Sequence, residues 1–513
     1  MRIVLIGDVG WTNLYHLGDE AMTDQALDEL RRRGVDEVTV VAGEPDVSAR
    51  FYGVPAVART GFRNSLDRSH NDDRLARVLD SARGHTGVLG AGDPALAVID
   101  AVRAADAVLV AGGGNLNSFF PQHIYERAAL TGIARVLGKP YALTSQTVGP
   151  LVRDDDKVVL TKMLQGATVV GARESATEKL LADLGVPGDK VVRTMDDAYG
   201  IVATDVDRRA VEHLMTSPYV IASFAEKAST TVISQDDYHA LVARTMDELG
   251  EAVDATVLLV PHAGSLVEGA TARDQDSNRH IASMAGERVR CAPMLTARQL
   301  AALTDGARLV VGTRYHPAIF AARSAVPSIS IAPNMYSSVR MRYSARNVGT
   351  DDYVLSLPSW QDGVLIEAAR ELVDDDGVRE HLVAVRSRRT AGQARWWDAL
   401  VESLRTGEPV DADLRQFDDA PAYRSPGTWA SANRALLEAT ERFDEMRMRE
   451  KWHRDELEKR IARLRRQRSA LRDRLEAGTS PAPRPQPGPR HTLGRAVASL
   501  RRRARRVSNG ASS

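Results

Sequence analysis

Between Ala307 and Ala332 the chain reads A-R-L-V-V-G-T-R-Y-H-P-A-I-F-A-A-R-S-A-V-P-S-I-S-I-A, and this stretch constrains the fold more than any other. A short apolar run, Leu309 to Val311, ends at Gly312 and Thr313, and a second, Ser328 to Ile331, follows Pro327. The intervening Tyr315 to Ser324 has the length and alanine content of a helix. A strand–helix–strand unit of this kind implies parallel strands joined by a crossover. Arg314 and His316 then stand at the carboxyl end of the first strand, where open α/β sheets hold their ligands. An arginine fork suits a phosphate or a carboxylate, and a histidine beside it moves a proton near neutral pH. The same two residues fit an arginine that caps a strand and a histidine satisfied by a carbonyl. Taken alone, that plainer role is the favoured one.

The β/α alternation recurs along most of the chain. Strands are expected at Ile3 to Gly7, Val38 to Ala42, Ala107 to Ala111, Tyr141 to Ser145, Thr168 to Gly171 and Val191 to Thr194. A second series comprises Tyr219 to Phe224, Val257 to Val260, Leu309 to Val311 and Ser328 to Ile331. Helical patterns separate the strands in both. The fold class is therefore α/β, with two Rossmann-like domains facing a cleft, over residues 1–200 and 201–408. A hydrophobic fraction of 43% is ample for their cores. Residues 363–404 read as helical and either brace the second domain or cross back to the first. Residues 409–430 read as a polar linker.

From 431 to 479 arginine, glutamate and leucine dominate. Leu436, Phe443, Leu457, Leu464 and Leu471 recur at heptad spacing, with Glu450 in the remaining place. This predicts a long helix with coiled-coil character, although Arg447, Arg454 and Arg468 occupy seam positions. Residues 480–513 read as a Pro/Arg-rich disordered tail. That tail holds eight arginines and no acid, so the zero net charge of the whole chain conceals an equally acidic remainder. The single cysteine, Cys291, excludes an internal disulfide and a multi-cysteine metal site. The amino terminus lacks a signal-peptide pattern and no segment has the apolar length of a membrane span, so a cytoplasmic protein is expected.

Several motifs stand at strand ends or helix starts. Gly112-Gly113-Gly114-Asn115 allows close backbone approach and leaves amides free for an anion, although a tight turn needs the same glycines. Gly113, Gly114 and Asn115 are candidate substrate-binding residues. Asp19 and Glu20 complement a helix dipole, which is the simpler reading, or accept protons from sugar hydroxyls. Arg173 is a second cation at a strand end, with Glu174 and Glu178 as ordinary partners. Asp196 and Asp197 have no third ligand at convincing spacing, so no metal is expected. His262 also follows a strand.

In chain order, G-D-E-A, G-G-G-N, Q-T-V-G-P, A-R-E-S-A-T, D-D-A-Y, V-P-H with a later Asp276, and G-T-R-Y-H-P-A-I-F-A-A resemble the polysaccharide pyruvyl transferase family, over about Met1 to Met341. The most specific parts are R-E-S-A-T and R-Y-H-P-A-I-F-A. The resemblance implies a GT-B-like pair of domains and transfer of pyruvyl from phosphoenolpyruvate to a sugar diol, giving a ketal and phosphate. It implies Arg173, Arg314 and His316 as phosphoenolpyruvate ligands, with His316 also the proton donor. Three departures stand out. His16 replaces an asparagine, Tyr315 replaces a leucine, and Asn334 to Ser338 contains no lysine.

No cofactor is needed beyond phosphoenolpyruvate as donor, and the expected acceptor is a glycan or lipid-linked saccharide. Self-association is expected through 431–479. The basic stretch 495–506 is expected to contact anionic lipid at the inner face of the membrane, with no nucleic acid partner. Two other readings remain: a GT-B glycosyltransferase using a nucleotide sugar, and a non-catalytic homologue acting as a coiled-coil scaffold.

Overall fold

The computed structural model describes residues 1–65, 67–215, 218–226, 233–415 and 418–476. Residues 1–445 form one compact unit, and a second begins at Met446. The tail expected over 480–513, with its basic stretch, lies outside the described residues.

Strand β1 (Arg2–Ile6) is buried at every position but the first, the mark of a strand covered on both faces. It founds a parallel sheet with β2 (Glu37–Ala42), β3 (Ala56–Ala58), β4 (Ala107–Val110), β5 (Gly113–Leu116), β6 (Tyr141–Val148), β7 (Val170–Ala172) and β8 (Val191–Arg193). The order is β3-β2-β1-β4-β6-β7-β8, with β5 paired to β6. The second lobe repeats the plan with β9 (Tyr219–Ser223), β10 (Thr256–Leu259), β11 (Val289–Cys291), β12 (Leu309–Gly312), β13 (Ser328–Ala332) and β14 (Val354–Ser356). Its order is β11-β10-β9-β12-β13-β14. Both sheets therefore reverse direction of growth between their first and fourth strands, in the doubly wound manner expected. The short edge strands β3, β11 and β14, and the four-residue β5, are those that the apolar pattern did not announce.

A short ribbon and a long helix are among the features that join the lobes. Tyr15–His16 pairs antiparallel with Ala263–Gly264, and the Leu17 amide donates to the His262 carbonyl at 2.9 Å. The long helix α1 (Asp376–Thr406) crosses between cores. Val378, Leu382 and Val385 pack in the second lobe, whereas Trp396, Trp397 and Leu400 pack in the first. Both alternatives read for 363–404 thus hold at once.

The segment expected as a linker is not free. Tyr423 N–H donates to Gly349 at 2.7 Å, Asp419 pairs with Arg193 at 2.8 Å, and Ser425 donates to Glu371. It leads into α2 (Trp429–Glu476), whose Trp429, Ala430 and Leu437 enter the second-lobe core. Glu441 accepts from Ser338 and Arg342, and Asp444 accepts from the Met335 amide. The docked face is not the heptad face: Leu437 is buried, while Leu436 and Phe443 are exposed. Among the described residues no helix is long and apolar enough to cross a membrane.

Candidate active site

The carboxyl ends of both sheets open on one cleft of about 1240 Å³, counted to its open mouth. From the first lobe, the turn after β1 supplies Asp8 and Trp11, and the turn after β4 leads into Gly114 and Asn115. The helix Leu17–Arg32 points its first turn at the cleft, with Gly18 and Asp19. From the second lobe, the turn after β10 supplies His262, and the turn after β12 supplies Arg314 and His316, the latter opening the helix His316–Ser324. The helix Met335–Arg346, after β13, contributes Tyr336 and Arg340.

Two glycines allow this convergence. A Cβ on Gly18 would lie 1.8 Å from His316 Nδ1, so only glycine lets the two helix starts meet. A Cβ on Gly114 would come within 2.8 Å of Arg173 Nη2.

Arg173 is buried and directed by its neighbours. Its Nε donates to Thr147 Oγ1 at 2.6 Å, Nη1 is paired with Asp196, and its guanidinium lies 4.5 Å from the Tyr315 ring centre. Nη2 has no partner. Arg314 is paired with Asp274, a buried carboxylate that also accepts the amides of Glu226, His262 and Ala263. Its Nε is likewise unpartnered. Arg340 stacks over Tyr315 and Tyr336 at 4.7 and 4.4 Å, with Nε unpartnered.

His262 Nδ1 lies 2.7 Å from Ser223 Oγ, and its Nε2 has no partner. His316 Nε2 is also unpartnered, 3.8 Å from Asp196. Burial, opposed by Asp274 and reinforced by Arg314, pushes His262 down to about 4. Burial and the cations Arg173, Arg340 and Arg314, with His262, hold His316 well below the ordinary histidine range. Both rings are thereby biased toward the neutral form.

The first-lobe side has the opposite character. Asp8 accepts from Arg59 at 2.6 Å and from Trp11 and Asn115 at 3.2 Å each. Burial opposes its ionisation, but His123, Arg59 and Arg127 outweigh burial and keep it ionised. Asp19 is pushed up to about 7 by burial and by Asp8, against Arg340 and Arg173. A carboxyl poised there exchanges a proton readily near neutral pH.

Of the residues expected from sequence, Arg173, Arg314, His316, Asp19, Gly114 and Asn115 line this cleft together. Gly113 does not; it pairs with Gln146 in the sheet. Glu20 is turned away, because adjacent helical residues point about 100° apart. Its carboxylate is taken by the Tyr52 hydroxyl and the Gly10 amide, so it is not placed to act on a substrate. Asp276 lies exposed beside Arg279, and the buried acid that serves the site is Asp274.

Asp196 and Asp197 are occupied by Arg173 and by Ser145, Thr144 and Gln393. Asp8, Trp11, His123, Tyr336 and Arg340 escaped the sequence reading. Only Arg340 left a signal, a cation two residues past the window searched for lysine. Asp8 gains its role from Arg59 and His123, which are distant in sequence.

The fold is shared with known sugar-nucleotide enzymes. A Listeria monocytogenes protein assigned as a UDP-N-acetylglucosamine 2-epimerase superposes with a TM-score of 0.53 at 11% identity, covering 83% of this chain and 99% of that one. The UDP-GlcNAc 2-epimerase of Neisseria meningitidis bound to UDP-GlcNAc gives 0.50 at 11% identity, covering 79% and 100%. These likenesses establish the two-lobed GT-B-like architecture. Among curated proteins, none matches the sequence. The sequence profile of the family described as polysaccharide pyruvyl transferase matches residues 16–334, a span that includes Asp19, Gly114, Arg173, His262, Arg314 and His316. By that match the chain belongs to the polysaccharide pyruvyl transferase family.

Proposed function

We propose that this protein transfers the pyruvyl group of phosphoenolpyruvate to two hydroxyls of a sugar in a polysaccharide or glycan precursor, releasing phosphate. One observation carries the reading. Among the described residues, five buried nitrogens without partners, on Arg173, Arg314, Arg340, His262 and His316, surround a single cleft. A buried polar group left unpaired costs about 1–3 kcal/mol, so such a cluster calls for a ligand rich in acceptors. Phosphoenolpyruvate offers a phosphate and a carboxylate on a three-carbon frame, and arginines from both lobes suit the two groups.

In this scheme His316 gives a proton to the methylene carbon of the donor, making it a methyl group. One sugar hydroxyl attacks the adjacent carbon and passes its proton to Asp19. The bond from that carbon to the phosphate oxygen then breaks and phosphate leaves. A second hydroxyl attacks the same carbon, and its proton is lost to solvent. Before the donor binds, burial and the neighbouring arginines hold His316 well below the ordinary histidine range. The negative charges of phosphoenolpyruvate offset the arginines that repel a proton from the ring, so the donor loads its own acid.

The test is titration of the purified protein with phosphoenolpyruvate, followed by phosphate release in the presence of glycans bearing free diols. Calorimetric silence toward phosphoenolpyruvate, with heat on adding a UDP-sugar, would replace this reading with nucleotide-sugar transfer.

A further inference from the structure

We infer that Trp11 and Phe120 form a stacking platform for a pyranoside acceptor, with Asp8 and Asn115 as partners for its hydroxyls. The subsite deepens the pyruvyl-transfer reading and rests on it for the role of the sugar. Within the cleft, the unpartnered nitrogens of Arg173 and Arg340 lie beside Gly114, whereas the amide of Asn115, the next residue of β5, donates to Asp8. Asp8 is already offset by Arg59, and with Asn115 it presents acceptor oxygens beside an amide, which suit a neutral ligand that donates hydrogen bonds.

Two large rings stand open there, Trp11 at 38% and Phe120 at 40% exposure. Neither is loose. His123 presents an edge-type contact to both, with centroids 6.5 Å from Trp11 and 6.3 Å from Phe120. Trp11 is further tied by its Nε1 to Asp8 at 3.2 Å and by the Arg59 guanidinium 4.2 Å from its ring centre. Rigid aromatic area beside a carboxylate and an amide matches a pyranose, which has an apolar C–H face and a rim of hydroxyls. Asp19, in the same cleft, is available to the hydroxyl that attacks.

Saturation-transfer NMR with methyl pyranosides of glucose, galactose, mannose and N-acetylglucosamine tests the platform on the full chain. Wild type should bind at least one, and Trp11→Ala or Phe120→Ala should weaken that binding tenfold or more. Phosphoenolpyruvate affinity, measured by calorimetry, should stay within about threefold in both variants, which also reports on their folding. Glycoside binding that is absent in wild type, or unchanged in both variants, overturns the platform. Glycoside binding that behaves as expected while wild type ignores phosphoenolpyruvate overturns the donor assignment instead and leaves the platform standing.

Discussion

Removing the Arg314 guanidinium is the cleanest probe of the donor site, because its buried partner survives the loss. In Arg314→Ala, Asp274 still accepts three backbone amides, from Glu226, His262 and Ala263, at 2.9 to 3.1 Å. The carboxylate is therefore not stranded, and the fold should lose little. What goes is a charge-assisted contact to the donor, worth about 1.5–3 kcal/mol. That converts to a rise in Kd for phosphoenolpyruvate of about 10- to 150-fold. Arg314→Lys should recover only part, since an ammonium lacks the fork. Arg173→Ala should behave differently. Its guanidinium is the buried cation beside both Asp196 and Glu174, and its removal should also destabilise the protein by about 3–5 kcal/mol. Calorimetry for Kd and urea melts for stability separate the two effects. A Kd in Arg314→Ala within threefold of wild type would refute the donor assignment. Equal stability of the two alanine variants would refute the account of Asp274.

Three further expectations follow from the same geometry. Donor binding should take up close to one proton at pH 7.5, seen as a dependence of calorimetric heat on buffer ionisation enthalpy. The uptake should vanish in His316→Gln, whose kcat should fall about 10²–10⁴-fold. Asp197 is pushed up to about 7 by burial, against the Ser145 hydrogen bond, from the ordinary aspartate value of 3.8. The folded state thus holds its proton more tightly, and this contribution to stability is lost as pH rises through about 7. Asp197→Asn should gain on wild type by up to about 1.4 kcal/mol per pH unit between those limits, and a pH-independent difference in urea melts would contradict this. Finally, a chain ending at Gly407 should be unstable, because it loses Trp429 and Leu437 from the second-lobe core, whereas one ending at Glu445 should keep donor binding. Sedimentation of the longer form against full length then shows whether the exposed heptad face joins copies.

The parts of this molecule legible in sequence are those whose determinants are local. Continuous apolar runs such as Val108–Val110 and Leu309–Val311 announce buried parallel strands, and glycine or a charged residue after them marks the ligand side. Strand β5 was invisible because G-G-N-L has no strand propensity; its partner β6 imposes the conformation. Asp19 and Glu20 were indistinguishable in sequence, since only the helix's rotation decides which faces the cleft. The heptad reading found a real helix but not the face that docks on the body, because that face, Ala430, Asn433 and Leu437 at i, i+3 and i+7, includes a small and a polar residue. Asp8 depends entirely on partners brought by tertiary folding.

The short pairing of Tyr15–His16 with Ala263–Gly264 acts as a hasp across the two lobes. His16 and His262 both line the cleft, so the fastening sits at the candidate site, while helix α1 also spans both cores. A wide yawn would break the ribbon's backbone hydrogen bonds at about 1 kcal/mol each and pull Leu17, at the head of the helix carrying Asp19, from its bond to His262. The ribbon therefore resists opening, and the cleft keeps its width unless those bonds are broken.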